Sequence, residues 1–250
     1  MRSEDEAIWQ ADMLDRYPMD SNAMVAWLDP ERLELLLTYV EETTLSDELA
    51  RFVRTVAERH PKYLRVKELF ETVEAYRRIG QDVYEHWRDG HVQAIYDMCA
   101  GHGLLGLLLG YRFRKLSVLC VDAERRPAFD HYLAIAADLG IDTSNVTYVE
   151  ADVAAVDIRP GAYVICIHAC NELTKTIVER AVAAGARFAA MPCCIRDGIY
   201  FRRIKHVDED VMRYAVAAGY IAGRYAAEKV TAIDERITNR NLIILGGGAG

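Results

Sequence analysis

The chain has 250 residues, 52% of them hydrophobic and 27% charged, with a formal net charge of -8. That is enough apolar material for a full α/β core with an accessory segment, and the acidic balance excludes attachment to nucleic acid through an overall positive field. No apolar run reaches the ~18 residues a membrane span needs. The opening MRSEDEAIWQ is acidic where a signal peptide would be basic and then apolar, so a cytoplasmic protein with no membrane partner is expected.

Between Pro30 and Asp89 the pattern is helical. Asp29-Pro30-Glu31 is a helix start with proline in first position, followed by an apolar face of Leu33, Leu35, Leu36, Leu37 and Val40. A second helix is predicted from Ser46, with Asp47 and Glu48 in its first turn, ending before His60-Pro61. A third carries Val66, Leu69, Phe70, Val73, Tyr76, Val83, Tyr84 and Trp87 at three- and four-residue steps and closes at Gly90. The extreme N-terminus reads as a loosely held helix. Residues 1–90 are thus an N-terminal helical segment, either capping the edge or mouth of a sheet or only completing its core.

Beyond Gly90 strand and helix alternate, which calls for parallel strands with helices on both faces. Strands are predicted over 94–98, 116–121, 146–150, 163–168 and 186–191, with a terminal pair near 223–230 and 241–245. The expected fold is α/β: a doubly wound, seven-stranded, mostly parallel Rossmann-like sheet over 91–246 with an N-terminal helical cap. Residues 247–250 are a flexible tail.

The first strand ends at Asp97 and runs into a glycine turn, Gly101-His102-Gly103-Leu104-Leu105-Gly106, that opens an apolar helix. Glycines let backbone approach a ligand, and the helix start offers unpaired N–H groups and a positive dipole end. The turn matches G-x-G-x-x-G, so an NAD-dependent oxidoreductase must be weighed. Asp97, however, would repel a pyrophosphate and favour a cationic or zwitterionic ligand. The second strand delivers Asp122 about twenty residues beyond the glycines, where a carboxylate grips ribose hydroxyls.

The stretch Asp97-Met98-Cys99-Ala100-Gly101-His102-Gly103 resembles the acidic-x-G-x-G-x-G motif of class I S-adenosylmethionine-dependent methyltransferases, with Cys99 in place of the first glycine. In that family the last strand runs antiparallel beside the sixth, and a carboxylate after the third strand commonly accepts from the adenine amino group; Asp152 is the matching residue. The resemblance implies S-adenosyl-L-methionine as cofactor. The expected cofactor set is Asp97, Cys99, Ala100, Gly101, Gly103, Asp122, Ala123, Asp152, Val153 and His168.

The fourth strand ends in His168-Ala169-Cys170-Asn171-Glu172-Leu173-Thr174, at the sheet edge where doubly wound folds place reacting groups. It resembles the H-x-C-G-[DE]-[AL]-T signature of a methyltransferase branch that includes tRNA ribose methyltransferases and methyltransferase-like proteins, which also carry a Cys-Cys pair after strand five, here Cys193-Cys194. Asn171 replaces the branch's glycine. Methyl transfer needs in-line positioning, exclusion of water and sometimes a base. His168 can supply that base near neutral pH, Glu172 can do so if burial raises its pKa, and Asn171 can orient an acceptor. The alternative for His168 is a core histidine bonded to a carbonyl.

All six cysteines lie in this half of the chain, as expected of buried or active-site thiols in a reducing compartment. A zinc set of His168, Cys170, Cys193 and Cys194 has unsuitable spacing, so no metal is expected. The stretch Arg196, Arg202, Arg203, Lys205 and His206 reads as a basic wall near the substrate side or as a solvated loop balancing Asp208, Glu209 and Asp210. The expected activity is methyl transfer from S-adenosylmethionine to an acceptor, RNA or protein ahead of a small molecule. A non-catalytic cofactor-binding scaffold is the alternative; the methyl acceptor and the oligomeric state are not readable from the sequence.

Overall fold

Caps and apolar spacing build the helices where the sequence places them. In the computed structural model, which describes residues 13–17, 19, 22–170, 172–193 and 210–248, helix α1 is Pro30–Thr44, and its Asp29 cap accepts from the Arg32 N–H at 2.9 Å. Helix α2 is Asp47–Arg59, capped by Ser46 Oγ on the Leu49 N–H at 3.2 Å. Helix α3, Val66–Arg88, is the long one. The N-terminal helix expected before residue 22 lies largely outside the described residues, although Met13, Leu14 and Tyr17 are buried in the core.

Strand β1, Ala94–Met98, leads to helix α4, Leu104–Arg112, and strand β2, Ser117–Asp122. Helix α5, Pro127–Asp138, and strand β3, Val146–Glu150, follow. Then come β4 (Ala162–Ile167), α6 (Glu172–Ala183), β5 (Arg187–Met191), α7 (Asp210–Arg224), β6 (Lys229–Ala232) and β7 (Leu242–Gly247). The seven strands lie in the order β3-β2-β1-β4-β5-β7-β6. All pairs are parallel except those of β7 with β5 and β6, which are antiparallel. Strand order therefore reverses between β1 and β4, the switch point at which doubly wound sheets open a crevice beyond their carboxyl ends.

Two expected strands are corrected. The fourth stops at Ile167 rather than 168, because His168 turns into the left-handed region (φ 55°) while its N–H bonds to Met191 O at 3.1 Å. The sixth does not begin at 223: Tyr214, Ala217, Ala218, Ile221 and Tyr225 are buried at helical spacing, so α7 runs through Gly223 and the strand starts at Lys229.

Side chains alternate across the sheet. Ile95, Val118, Cys120, Tyr163, Ile165 and Ala189 face one layer, made of α4, α5 and the N-terminal helices; Tyr96, Val121, Val164, Cys166 and Phe188 face the other, made of α6 and α7. The helices before residue 90 share one continuous core with the sheet. Asp82 of α3 accepts from the Tyr163 hydroxyl of β4 at 2.7 Å, fixing the helix against the sheet face. Among the described residues, no helix is long and apolar enough to cross a membrane.

Candidate functional site

The turn after β1 is held in left-handed backbone, with Cys99 at φ 62°, Gly101 at φ 55° and Gly103 at φ 72°. Only glycine takes this conformation without strain, which explains why glycine is usual at the position of Cys99 in the resembling motif. A Cβ on Gly101 would meet nothing within 4 Å, so its backbone is open to an approaching ligand. Gly103 and Gly106 serve packing instead: a Cβ would come 2.5 Å from Phe129 and 2.3 Å from Cys120 Sγ, respectively.

Two carboxylates brace this turn. Asp122 Oδ2 accepts from the Gly101 N–H at 2.9 Å, and Asp97 Oδ2 accepts from the Gly106 N–H at 3.1 Å, at the start of α4. The Tyr148 hydroxyl donates to Gly101 O at 2.7 Å. Asp97 is buried, and burial pushes its carboxyl up to about 7; the Gly106 N–H opposes the rise and the nearby Asp122 adds to it. Burial, reinforced by Asp122 and Asp97, pushes the Cys99 thiol up to about 12, so it stays protonated at neutral pH.

A cavity of about 200 Å³ lies over the carboxyl ends of β1 and β4. It is lined by Asp97, Cys99, Ala100 and Gly101 on one side and by Ile167 and His168 on another. The third wall comes from the N-terminal segment, chiefly Tyr63, Arg65, Glu68 and Glu71. A second cavity of about 320 Å³ adjoins it, sharing Arg65, Glu68, Glu71 and His168 and adding Lys67, Cys193 and Thr238 to Arg240.

Sequence reasoning missed the contribution of α3. Three acids on that helix, Glu71, Glu74 and Asp82, are buried. Two are satisfied by tyrosine hydroxyls: Glu74 accepts from Tyr39 at 2.6 Å and Asp82 from Tyr163 at 2.7 Å. Glu71 differs. Its Oε2 lies 3.3 Å from His168 Nε2 without hydrogen-bond alignment, its Oε1 is 3.8 Å from Lys67 Nζ, and among the described residues neither Glu71 Oε1 nor His168 Nε2 has a hydrogen-bond partner. A buried carboxylate oxygen left unpaired is costly, and this one sits on the wall between two cavities. The available signal was three acids recurring on the apolar stripe of an amphipathic helix, where solvated residues do not belong.

The other expected residues lie around this centre. Asp152 and Ala123 are exposed and Val153 is buried; Asp152 Oδ1 accepts from the Ala154 N–H at 2.8 Å, closing its own turn. None of these, nor Asp122 itself, lines the first cavity. Glu172 is exposed in the first turn of α6. Thr174, the last residue of the His168 motif, is buried and donates to Ala169 O, bracing the turn between β4 and α6. Asn171, Cys194 and the basic stretch from Arg196 to His206 lie outside the described residues.

A sequence-family model described as a methyltransferase domain matches residues 61–197, more than half of the chain. The chain belongs to this methyltransferase-domain family. The match begins just before α3 and ends after β5, so it takes in the helix that supplies Glu71 as well as the five parallel strands β1 to β5. The glutathione S-transferase C-terminal domain-containing protein of Xenopus laevis is 26% identical over 102 residues, covering 40% of this chain and 16% of that protein, so the similarity spans about a sixth of the relative's length. Among solved structures, the chain is similar to the Pyrococcus abyssi tRNA (uracil-54, C5)-methyltransferase in complex with S-adenosyl-L-homocysteine (15% identity, 70% of this chain and 37% of that one, TM-score 0.43). It is also similar to the magnesium protoporphyrin IX methyltransferase of Synechocystis PCC 6803 with bound S-adenosylmethionine (16% identity, 85% and 97%, TM-score 0.48).

Proposed function

We propose that the chain is an S-adenosylmethionine-dependent methyltransferase whose acceptor is an RNA nucleotide or a protein side chain. The observation that carries this reading is one cavity at the β1/β4 switch point, walled on one side by a left-handed turn with a buried carboxyl and on the other by the His168–Glu71 pair. The residues fit the cofactor: Gly101 leaves its backbone open, and Asp97 offers a carboxyl to an ammonium. Cys99, Ala100 and Gly101, which line the cavity, would hold the methionine portion through the turn. Asp122 would hold the ribose, and Ala123, Asp152 and Val153 the adenine. When bound, S-adenosylmethionine supplies an electrophilic methyl group on a sulfonium.

The chain's own residues do the rest. His168 accepts the proton of the acceptor, and Glu71 stabilises the imidazolium that results. Glu172, exposed in the first turn of α6, orients the acceptor where it meets solvent, a role the sequence also gives Asn171. Arg65 and Glu68 close the wall against water.

The test is incubation of the chain with methyl-labelled S-adenosylmethionine in cell lysate, followed by fractionation into RNA, protein and small molecules. Label should enter one macromolecular fraction with the wild type and fall at least about tenfold with His168→Ala, while cofactor affinity is nearly unchanged. Cofactor binding without transfer to any fraction would support the scaffold alternative instead.

A further inference from the structure

Two thiols on the acceptor side have no role in the reading above. Cys170 follows β4 and Cys193 follows β5, adjacent parallel strands whose last paired residues are Ile167 and Met191. Their Sγ atoms are 3.4 Å apart, Cys170 is exposed, and Cys193 is half-buried in the wall of the second cavity beside His168. A disulfide bond is about 2.05 Å long, so the sulfurs need approach by only about 1.4 Å, within reach of side-chain rotation at two strand ends. We propose that Cys170 and Cys193 form a reversible disulfide that closes the acceptor side of the site under oxidation.

The chemistry requires an external low-molecular-weight disulfide. The exposed Cys170 thiolate attacks it, expelling one thiolate and leaving a mixed disulfide on Cys170. Cys193 then attacks Cys170 Sγ, breaks the mixed bond and expels the second thiolate. The two protein thiols thereby lose two protons and two electrons, and the reagent leaves as two thiols. The remaining described thiols do not compete. Cys120 and Cys166 are buried, and burial also keeps Cys99 protonated. Because the link would join β4 to β5 beside His168, on the wall of the second cavity, it would hinder the acceptor rather than the cofactor, a consequence that rests on the function proposed above. Formation of the link does not.

The experiment treats the native, reduced full chain with glutathione disulfide, alkylates the remaining thiols and maps the digest by mass spectrometry. A peptide pair joined through Cys170 and Cys193, lighter by two hydrogens and lost on reduction, is expected. Cys170→Ser and Cys193→Ser should each abolish the pair and leave a glutathione adduct on the surviving thiol. Stable glutathione adducts on both thiols of the wild type, a link through Cys194 instead, or stoichiometric zinc held by these thiols in the purified protein would each overturn the proposal. Mass detection makes the result independent of whether a methyl acceptor is found.

Discussion

Asp97 gives the sharpest handle on the cofactor side, because the site asks it to be charged and its surroundings resist. Burial raises its carboxyl from 3.8 to about 7, so in the free protein it is mostly neutral below neutral pH. An ammonium placed against it would reward only the ionised form. The ionised fraction is small at about pH 5.5 and substantial at about pH 7, so affinity for S-adenosylmethionine should strengthen by roughly an order of magnitude across that interval. The folded pKa lies above the unfolded one, so the native state binds the extra proton and the unliganded protein loses stability as pH rises from about 4 to about 7, by up to about 4 kcal/mol. Calorimetry at several pH values, in buffers of different ionisation enthalpy, reads both affinity and the proton released on binding. Asp97→Asn keeps an oxygen for the Gly106 N–H, removes the titration, and should bind more weakly with a flat profile. A flat wild-type profile, or an unchanged slope in Asp97→Asn, would refute the reasoning.

Asp122→Ala removes the acceptor of the Gly101 N–H as well as the proposed ribose contact, and should cost about 1.5–3 kcal/mol of cofactor affinity, a ten- to hundredfold weaker Kd by titration calorimetry. An unchanged Kd would remove Asp122 from the site. Gly106→Ala drives a methyl group to 2.3 Å from Cys120 Sγ, inside the seam between α4 and β2, and should lower stability by about 1–3 kcal/mol in denaturant melts. A wild-type midpoint would mean that α4 is not held against β2 as described. Tyr163→Phe strips the buried Asp82 of its hydroxyl donor at the sheet edge opposite the cavity; it should cost about 1.5–3 kcal/mol of stability and leave cofactor affinity alone.

Much of this architecture is legible in the residues because it is periodic or punctuated. Strands buried on both faces read as short apolar runs, and caps such as Asp29 and Ser46 announce their helices. The glycine turn is legible because left-handed backbone demands glycine, and Cys99 shows the limit of that rule, since it holds φ 62° with a side chain. Where helix and strand signals compete, periodicity over a longer window wins: Gly219 and Gly223 look like breaks, yet α7 passes through both. The wall contributed by α3 was hidden for a different reason. Glu71 gains its meaning from His168, nearly a hundred positions away, and no local pattern encodes a pairing made by tertiary packing. Similarly, the approach of Cys170 to Cys193 follows from the β4–β5 register rather than from their spacing in the chain.

The central claim is that the cavity over β1 and β4 holds S-adenosylmethionine rather than a dinucleotide. Titration calorimetry of the purified chain with S-adenosylhomocysteine and, separately, with NAD tests it most directly. One-to-one binding of S-adenosylhomocysteine, weakened by Asp122→Ala, with no heat from NAD is predicted; binding of NAD with none of S-adenosylhomocysteine would contradict the account.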